Sequence, residues 1–97
     1  MDLSIVVPLY NEDESIEELA GWIDRTCSSN KLTYELLFID DGSSDDSWKV
    51  INSIAGANPN VKGISFRRNY GKAAALHTGF DSCKGDVVML LPYHNFF

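Results

Sequence analysis

At 97 residues the chain is long enough for one small domain or a piece of a larger one, and 44% hydrophobic residues exclude wholesale disorder. A formal net charge of −6 argues against nucleic acid as a partner, because phosphate backbones require clustered Lys and Arg. No stretch approaches the roughly 20 apolar residues of a membrane helix, and Met1-Asp2-Leu3-Ser4 lacks the basic start of a signal peptide, so a cytoplasmic setting is expected.

In chain order, Leu3 to Leu9 is a β-branched run that predicts a first strand. Pro8 has no N–H for a ladder, so pairing is expected to weaken there and the chain to turn outward. Asn11 followed by Glu14 resembles a capping box. It precedes an amphipathic helix with Ile16, Leu19, Ala20, Ile23 and Cys27 inward, ending near Ser28-Ser29-Asn30. Residues 34–39 form a second strand, apolar on both faces from Leu36 to Ile39, as in a buried parallel sheet. The acidic turn Asp40-Asp41-Gly42-Ser43-Ser44-Asp45-Asp46 follows, with Gly42 permitting a tight bend and Ser44 placed to cap a second helix. That helix turns Trp48, Ile51, Ile54 and Ala55 inward and stops at Gly56 and Asn58-Pro59. Residues 61–66 give a third strand. A third helix from about Gly71 is expected to face Ala74, Leu76, Phe80 and Cys83 inward, with Gly79 allowing close approach to the sheet and Lys84-Gly85 closing it. Residues 87–91 give a fourth strand.

The order βαβαβαβ predicts an α/β, Rossmann-like parallel sheet with helices on its faces. Strand four is expected to be central, yet nothing follows it to complete its flank. The chain therefore reads as the front half of a fold, a single truncated domain over residues 1–97. Cys27 and Cys83 share no metal-ligand spacing and read as buried free thiols of a reducing compartment. Trp22 and Trp48 read as helix packing, His77 as surface or packing, and Glu17-Glu18 as a solvated helix face.

Open α/β sheets bind ligands beyond the carboxyl ends of their strands. Three loops meet there, at residues 8–12, 40–46 and 67–72: one after an apolar strand, one carrying adjacent carboxylates, one basic. Carboxylates accept from a base N–H or ribose hydroxyls, whereas Arg and Lys meet phosphate. A dehydrogenase-type dinucleotide turn is excluded, because Pro8-Leu9-Tyr10-Asn11-Glu12 has no glycine, and no Walker-type loop is present.

Three motifs in this order, Ile5-Val6-Val7-Pro8-Leu9-Tyr10-Asn11-Glu12, Ile39-Asp40-Asp41-Gly42-Ser43-Ser44-Asp45 and Arg67-Arg68-Asn69-Tyr70-Gly71-Lys72-Ala73-Ala74-Ala75, resemble the inverting glycosyltransferases of family two. The branch most resembled is that of the dolichyl- and undecaprenyl-phosphate sugar transferases. The resemblance implies the N-terminal part of a GT-A fold that binds a UDP- or GDP-type nucleotide diphosphate sugar for transfer to a lipid phosphate or glycan. It implies Pro8, Tyr10 and Glu12 lining the nucleotide pocket, Asp41 binding the base, Asp40 supporting that turn, and Lys72 with Arg68 near the diphosphate. The family holds Mg²⁺ or Mn²⁺ with an Asp-x-Asp motif after the fourth strand; here Pro92-Tyr93-His94 stands in its place, and Pro and Tyr do not replace carboxylates around a hard cation. Residues 92–97 do not resemble the family, and the acceptor half lies beyond residue 97, so little or no turnover is expected from this chain alone.

Two other readings stay open. A non-catalytic module would keep the fold and assemble through its uncovered sheet as a homo-oligomer, with Phe96 and Phe97 packing back or associating. A receiver-like domain would hold Mg²⁺ at Asp40 and Asp41, but it wants a further Asp at a neighbouring strand end, where Phe66 and Leu91 stand.

Overall fold

The computed structural model describes residues 1–91, with Lys72 as backbone only. The tail expected to depart from the family, including Pro92-Tyr93-His94 and Phe96-Phe97, lies outside the described residues. Strands and helices alternate as β1 (Leu3–Leu9), α1 (Ile16–Ser29), β2 (Tyr34–Asp40), α2 (Ser47–Ala57), β3 (Val61–Ser65), α3 (Lys72–Asp81) and β4 (Val87–Leu90). The strands form one parallel sheet in the order β3-β2-β1-β4. Strand β4 is thus an edge rather than a central strand among the described residues. Its four side chains are all exposed.

Pro8 does not end its strand. The register of β1 on β2 continues through Pro8↔Ile39 to Leu9↔Asp40. The reason is the alternation of a parallel ladder, in which each residue directs its N–H and C=O to one side. The Val6 carbonyl accepts from Leu91 on the β4 side, while the Leu9 carbonyl accepts from Asp41 on the β2 side. Pro8, two residues after Val6, has its missing N–H toward β4, whose described register ends at Val6↔Leu90.

The period-2 alternation divides the core. Ile5, Val7, Leu9, Leu36 and Phe38 meet Ile16, Ala20, Ile23, Cys27 and Ile51 of α1 and α2 on one face. Val6, Leu37 and Ile39 meet Ala75 of α3 on the other, with Cys83 packed alongside. The inward stripe of α3 is Ala75 and Gly79, whereas Phe80, expected inside, is 48% exposed, and Ala74 and Leu76 are half-buried. Close approach decides this: a Cβ on Gly79 would lie 2.4 Å from Val6 Cγ1, so the small residues sit against the sheet. Cys27 is buried and Cys83 half-buried, both as free thiols. Trp48 packs over Gly63, where an added Cβ would come within 2.9 Å of its ring. Trp22 is 55% exposed, and His77 faces Asp81 one turn on at 3.4 Å.

Two expected caps are not formed. Helix α1 starts at Ile16 with Ser15 at its N-cap, and α2 starts at Ser47 behind Asp46; neither makes a side-chain cap bond. Asn11 and Ser44 bond to one another instead. Helix α3 ends at Asp81, before Lys84-Gly85.

Past the end of α3, the same face of the sheet carries a buried charge. Glu35 is 0% exposed and accepts from the Ser4 hydroxyl, from the Lys84 amide at 2.6 Å and from Lys62 Nζ at 3.1 Å. The Gly85 amide donates to Ser4 Oγ at 2.7 Å, so the network clamps the approach to β4 onto β1 and β2. Burial opposes ionisation of Glu35, but these donors outweigh it and hold the carboxyl below its ordinary value of 4.5. A depressed folded pKa contributes stability that is complete above the unfolded value and lost as pH falls through the folded one. Glu35→Gln is expected to cost about 1–3 kcal/mol at neutral pH. Urea unfolding should show its gap to wild type closing as pH falls from about 5 toward about 3. A gap constant across that range would remove Glu35 as the acid-sensitive group.

Candidate functional site

The carboxyl ends of β1, β2 and β3 feed loop 1 (residues 10–15), loop 2 (residues 41–46) and loop 3 (residues 66–71), and two residues join them, Asp41 tying loop 2 to loop 3 and Asn11 tying loop 1 to loop 2. Asp41 donates its amide to the Leu9 carbonyl at 3.0 Å. Its Oδ1 accepts from the Tyr70 amide at 2.8 Å and its Oδ2 from the Gly71 amide at 3.0 Å. Gly71, at φ +96°, opens α3, so the start of that helix is fixed beside the acid pair. Asp40 works on the turn itself: Oδ1 accepts from the Ser43 amide at 3.0 Å, and its carbonyl accepts from Phe66 at 2.9 Å.

The contact between loops 2 and 3 requires glycine at position 42. Its φ is +77°, and an added Cβ would lie 2.3 Å from the Arg68 carbonyl carbon and 2.5 Å from the Asn69 nitrogen. Loop 1 is laced to loop 2 through Asn11, in the left-handed region at φ +53°. Its amide N–H donates to Ser43 Oγ at 2.8 Å, and its Oδ1 accepts from the Ser44 amide at 2.9 Å and the Asp45 amide at 3.3 Å. Further along, the Glu12 amide donates to Ser47 Oγ at 3.0 Å, and the Asp13 amide donates to Asp45 Oδ2 at 3.3 Å. Burial opposes ionisation of Asp45, but the hydroxyl and amide of Ser47 and the Asp13 amide hold its carboxyl below the usual range.

The residues picked out from the sequence therefore meet at one edge, but in different states. Pro8, Glu12, Asp40 and Asp41 are buried, Tyr10 is half-buried, and Arg68 is exposed. The Arg68 guanidinium sits 5.0 Å from the centroid of the Tyr70 ring, which in turn meets Phe66 edge-on at 5.6 Å. Lys72 begins α3 next to Gly71, while its side chain is outside the described residues. Asp41, expected to bind a base directly, is 0% exposed, with both oxygens engaged by loop 3 amides. The lacing role of Asn11 had no sequence signal beyond its resemblance to a cap.

Among the described residues no group of three or more His, Cys, Asp or Glu side chains is placed to hold a metal. Asp40 Oδ1 and both carboxylate oxygens of Asp41 are directed to backbone amides, which does not suit the Mg²⁺ site of a receiver-like domain; residues 92–94 lie outside the described residues. No helix among the described residues is long and apolar enough to cross a membrane.

The sequence matches Glycosyl transferase family 2 over residues 4–95. The chain belongs to that family. It is 41% identical over 90 residues to an undecaprenyl-phosphate 4-deoxy-4-formamido-L-arabinose transferase of Pseudomonas fluorescens (strain SBW25), covering 92% of this chain and 26% of that relative. The chain thus spans about a quarter of the length of the curated relatives it matches. A mannosyltransferase from Pyrobaculum calidifontis in complex with GDP-Man and Mn²⁺ superposes with a TM-score of 0.77 at 26% identity, over 93% of this chain and 26% of that one. Glucosyl-3-phosphoglycerate synthase from Mycobacterium tuberculosis, in complex with Mn²⁺, UDP and phosphoglyceric acid, gives 0.67 at 26% identity, over 94% and 32%. The family-two chain has the N-terminal sheet of the GT-A fold, as its neighbours do.

Gly42→Ala is expected to lose about 1–3 kcal/mol, because it places a methyl against the loop 3 backbone at a strained φ. Gly56→Ala, in α2 with open space around it, is expected to be neutral or to gain up to about 1 kcal/mol. Urea denaturation of the two variants checks the contrast, and equal effects would show that the loop 2–loop 3 approach is not tight.

Proposed function

We propose that this chain supplies the nucleotide-binding part of a glycosyltransferase that moves a sugar, with inversion, from a UDP- or GDP-type donor to a lipid phosphate or glycan. The observation that carries this reading is the meeting of three strand-end loops, loop 1 held to loop 2 through Asn11 and loop 3 held to loop 2 through Asp41, which brings Tyr10 and Glu12, the acid turn and the cationic loop to one edge. Support comes from the nucleotide-bound neighbours and from the undecaprenyl-phosphate transferase relatives.

Pro8, Tyr10 and Glu12 border the nucleoside. Asp40 and Asp41 shape loop 2, and with the loops as they stand Asp41 serves the pocket by holding loop 3. Arg68 in loop 3 and Lys72 at the first position of α3 are the cations assigned to the diphosphate, at the positive end of that helix. A divalent metal, where the parent family uses one, supplies charge neutralisation for the departing diphosphate. The chain spans about a quarter of its relatives, and the expected activity of these 97 residues is donor binding rather than turnover.

Calorimetry with UDP, GDP and their sugars, with and without Mn²⁺, tests the reading. One nucleotide series is expected to bind. Arg68→Ala should weaken it by about tenfold through loss of a charge-assisted contact, and Asp41→Ala should weaken it further while destabilising loop 3. Absence of heat from every nucleotide overturns the proposal.

A second reading, assembly through the sheet, is favoured by β4 itself. Val87, Val88, Met89 and Leu90 are 58%, 44%, 48% and 37% exposed on an edge strand without a charge or proline to discourage pairing. Light scattering of the purified chain should show concentration-dependent oligomers that Met89→Lys returns to monomer. A monomer at every concentration tested excludes this reading.

A further inference from the structure

We propose that Asn11 is a positioning residue of the nucleoside pocket, acting through loop 2 rather than by touching the ligand; the inference rests on the nucleotide reading above. Its side chain bridges two loops that are far apart in the chain. The Ser44 and Asp45 amides are both donors, so the amide group of Asn11 must turn Oδ1 toward them, at 2.9 and 3.3 Å. Nδ2 is then 3.3 Å from Ser44 Oγ, and the backbone N–H of Asn11 reaches Ser43 Oγ at 2.8 Å. Loop 2 is in this way held from loop 1 along three successive residues.

Two further features make asparagine suited to the position. At φ +53° a non-glycine residue is strained, and asparagine is among the side chains that tolerate it best. Aspartate would accept the same two amides, but it would add a charge beside Asp13 and Asp45, which already approach one another through the Asp13 amide. A neutral acceptor laces the loops without that repulsion.

The consequence falls on the neighbours in sequence. Tyr10 and Glu12 flank the left-handed residue, so the reversal at Asn11 separates a half-buried Tyr10 at the edge from Glu12, which is buried and tied through its amide to Ser47. Removing the Asn11 side chain loosens loop 1 at Tyr10, while the Glu12 amide keeps its bond to Ser47 and loop 3 stays held by Asp41. Nucleoside recognition should suffer, and anion recognition at loop 3 should not.

The test is calorimetry on the full chain with UDP, GDP and inorganic diphosphate, alongside thermal melts. Asn11→Gly keeps access to positive φ and removes only the side-chain bonds. It is expected to remain folded, to bind the nucleotide roughly tenfold more weakly, and to bind inorganic diphosphate as wild type does. Undiminished nucleotide binding by Asn11→Gly overturns the inference alone. An equal loss for nucleotide and diphosphate also overturns it, because the residue would then be supporting the fold at large. A wild-type chain that binds no nucleotide overturns the functional reading itself, and this inference with it.

Discussion

A carboxylate sealed from water and spent on two backbone amides organises the working edge of this domain. Burying an ionised carboxyl costs several kcal/mol unless its lone pairs are met, and Asp41 meets that cost with the amides of Tyr70 and Gly71. The bonds form only because the neighbouring backbone permits it. Gly42 has no Cβ to strike the Arg68–Asn69 peptide, and Gly71 takes the positive φ that turns loop 3 into α3. The elements are coupled, so a change at one leaves the others with unpaired buried groups rather than with a smaller version of the same contact.

The sheet supports that edge unequally from its two faces. On one side, α1 and α2 lay a continuous apolar layer over Ile5, Val7, Leu36 and Phe38. On the other, α3 packs close because Gly79 and Ala75 bring its axis down onto Val6. A short helix covers less sheet, and the region it leaves is filled by the Ser4–Glu35–Lys62 network and the turn at Lys84-Gly85. The polar cluster anchors the far end of the strands, away from the loops, and so fixes β4 in register with β1.

Most of this was legible where the signal was periodic. The strands, the three helices and the parallel order follow from apolar spacing and from helical connections that suit right-handed crossovers, and the three loops follow from the strand-end rule. What escaped was decided by partners that leave no mark in a local window. Asn11 and Glu14 fit a capping box, yet the Asn11 side chain found amides 33 and 34 positions away. Phe80 and Leu76 are more apolar than Ala75 and Gly79, but distance to the sheet rather than hydrophobicity selected the inward face of α3. Glu35 carries no sequence signal of its role, because its donors come from three other segments. The position of the acid pair was readable; that its acceptors face the protein's own backbone was not.

That inward orientation bears on how the net charge sits with the diphosphate donor proposed above. A chain of net charge −6 is a poor candidate for binding a diphosphate if charge is averaged over the surface. Here Glu12, Asp40 and Asp41 are all buried at the edge, where backbone amides meet Asp40 and Asp41. The exposed Glu14 and Asp46 stand ahead of α1 and α2, on the sheet face opposite α3. Loop 3, on the α3 side, presents Arg67 and Arg68 to solvent, with the Arg68 guanidinium over the Tyr70 ring and no carboxylate paired with it among the described residues. Local field, set by which charges the fold turns inward, governs what an edge attracts at distances within a Debye length of about 8–10 Å. The acid motif therefore does not make this edge uniformly negative: by binding loop 3 amides it holds the loop that carries the exposed Arg67 and Arg68.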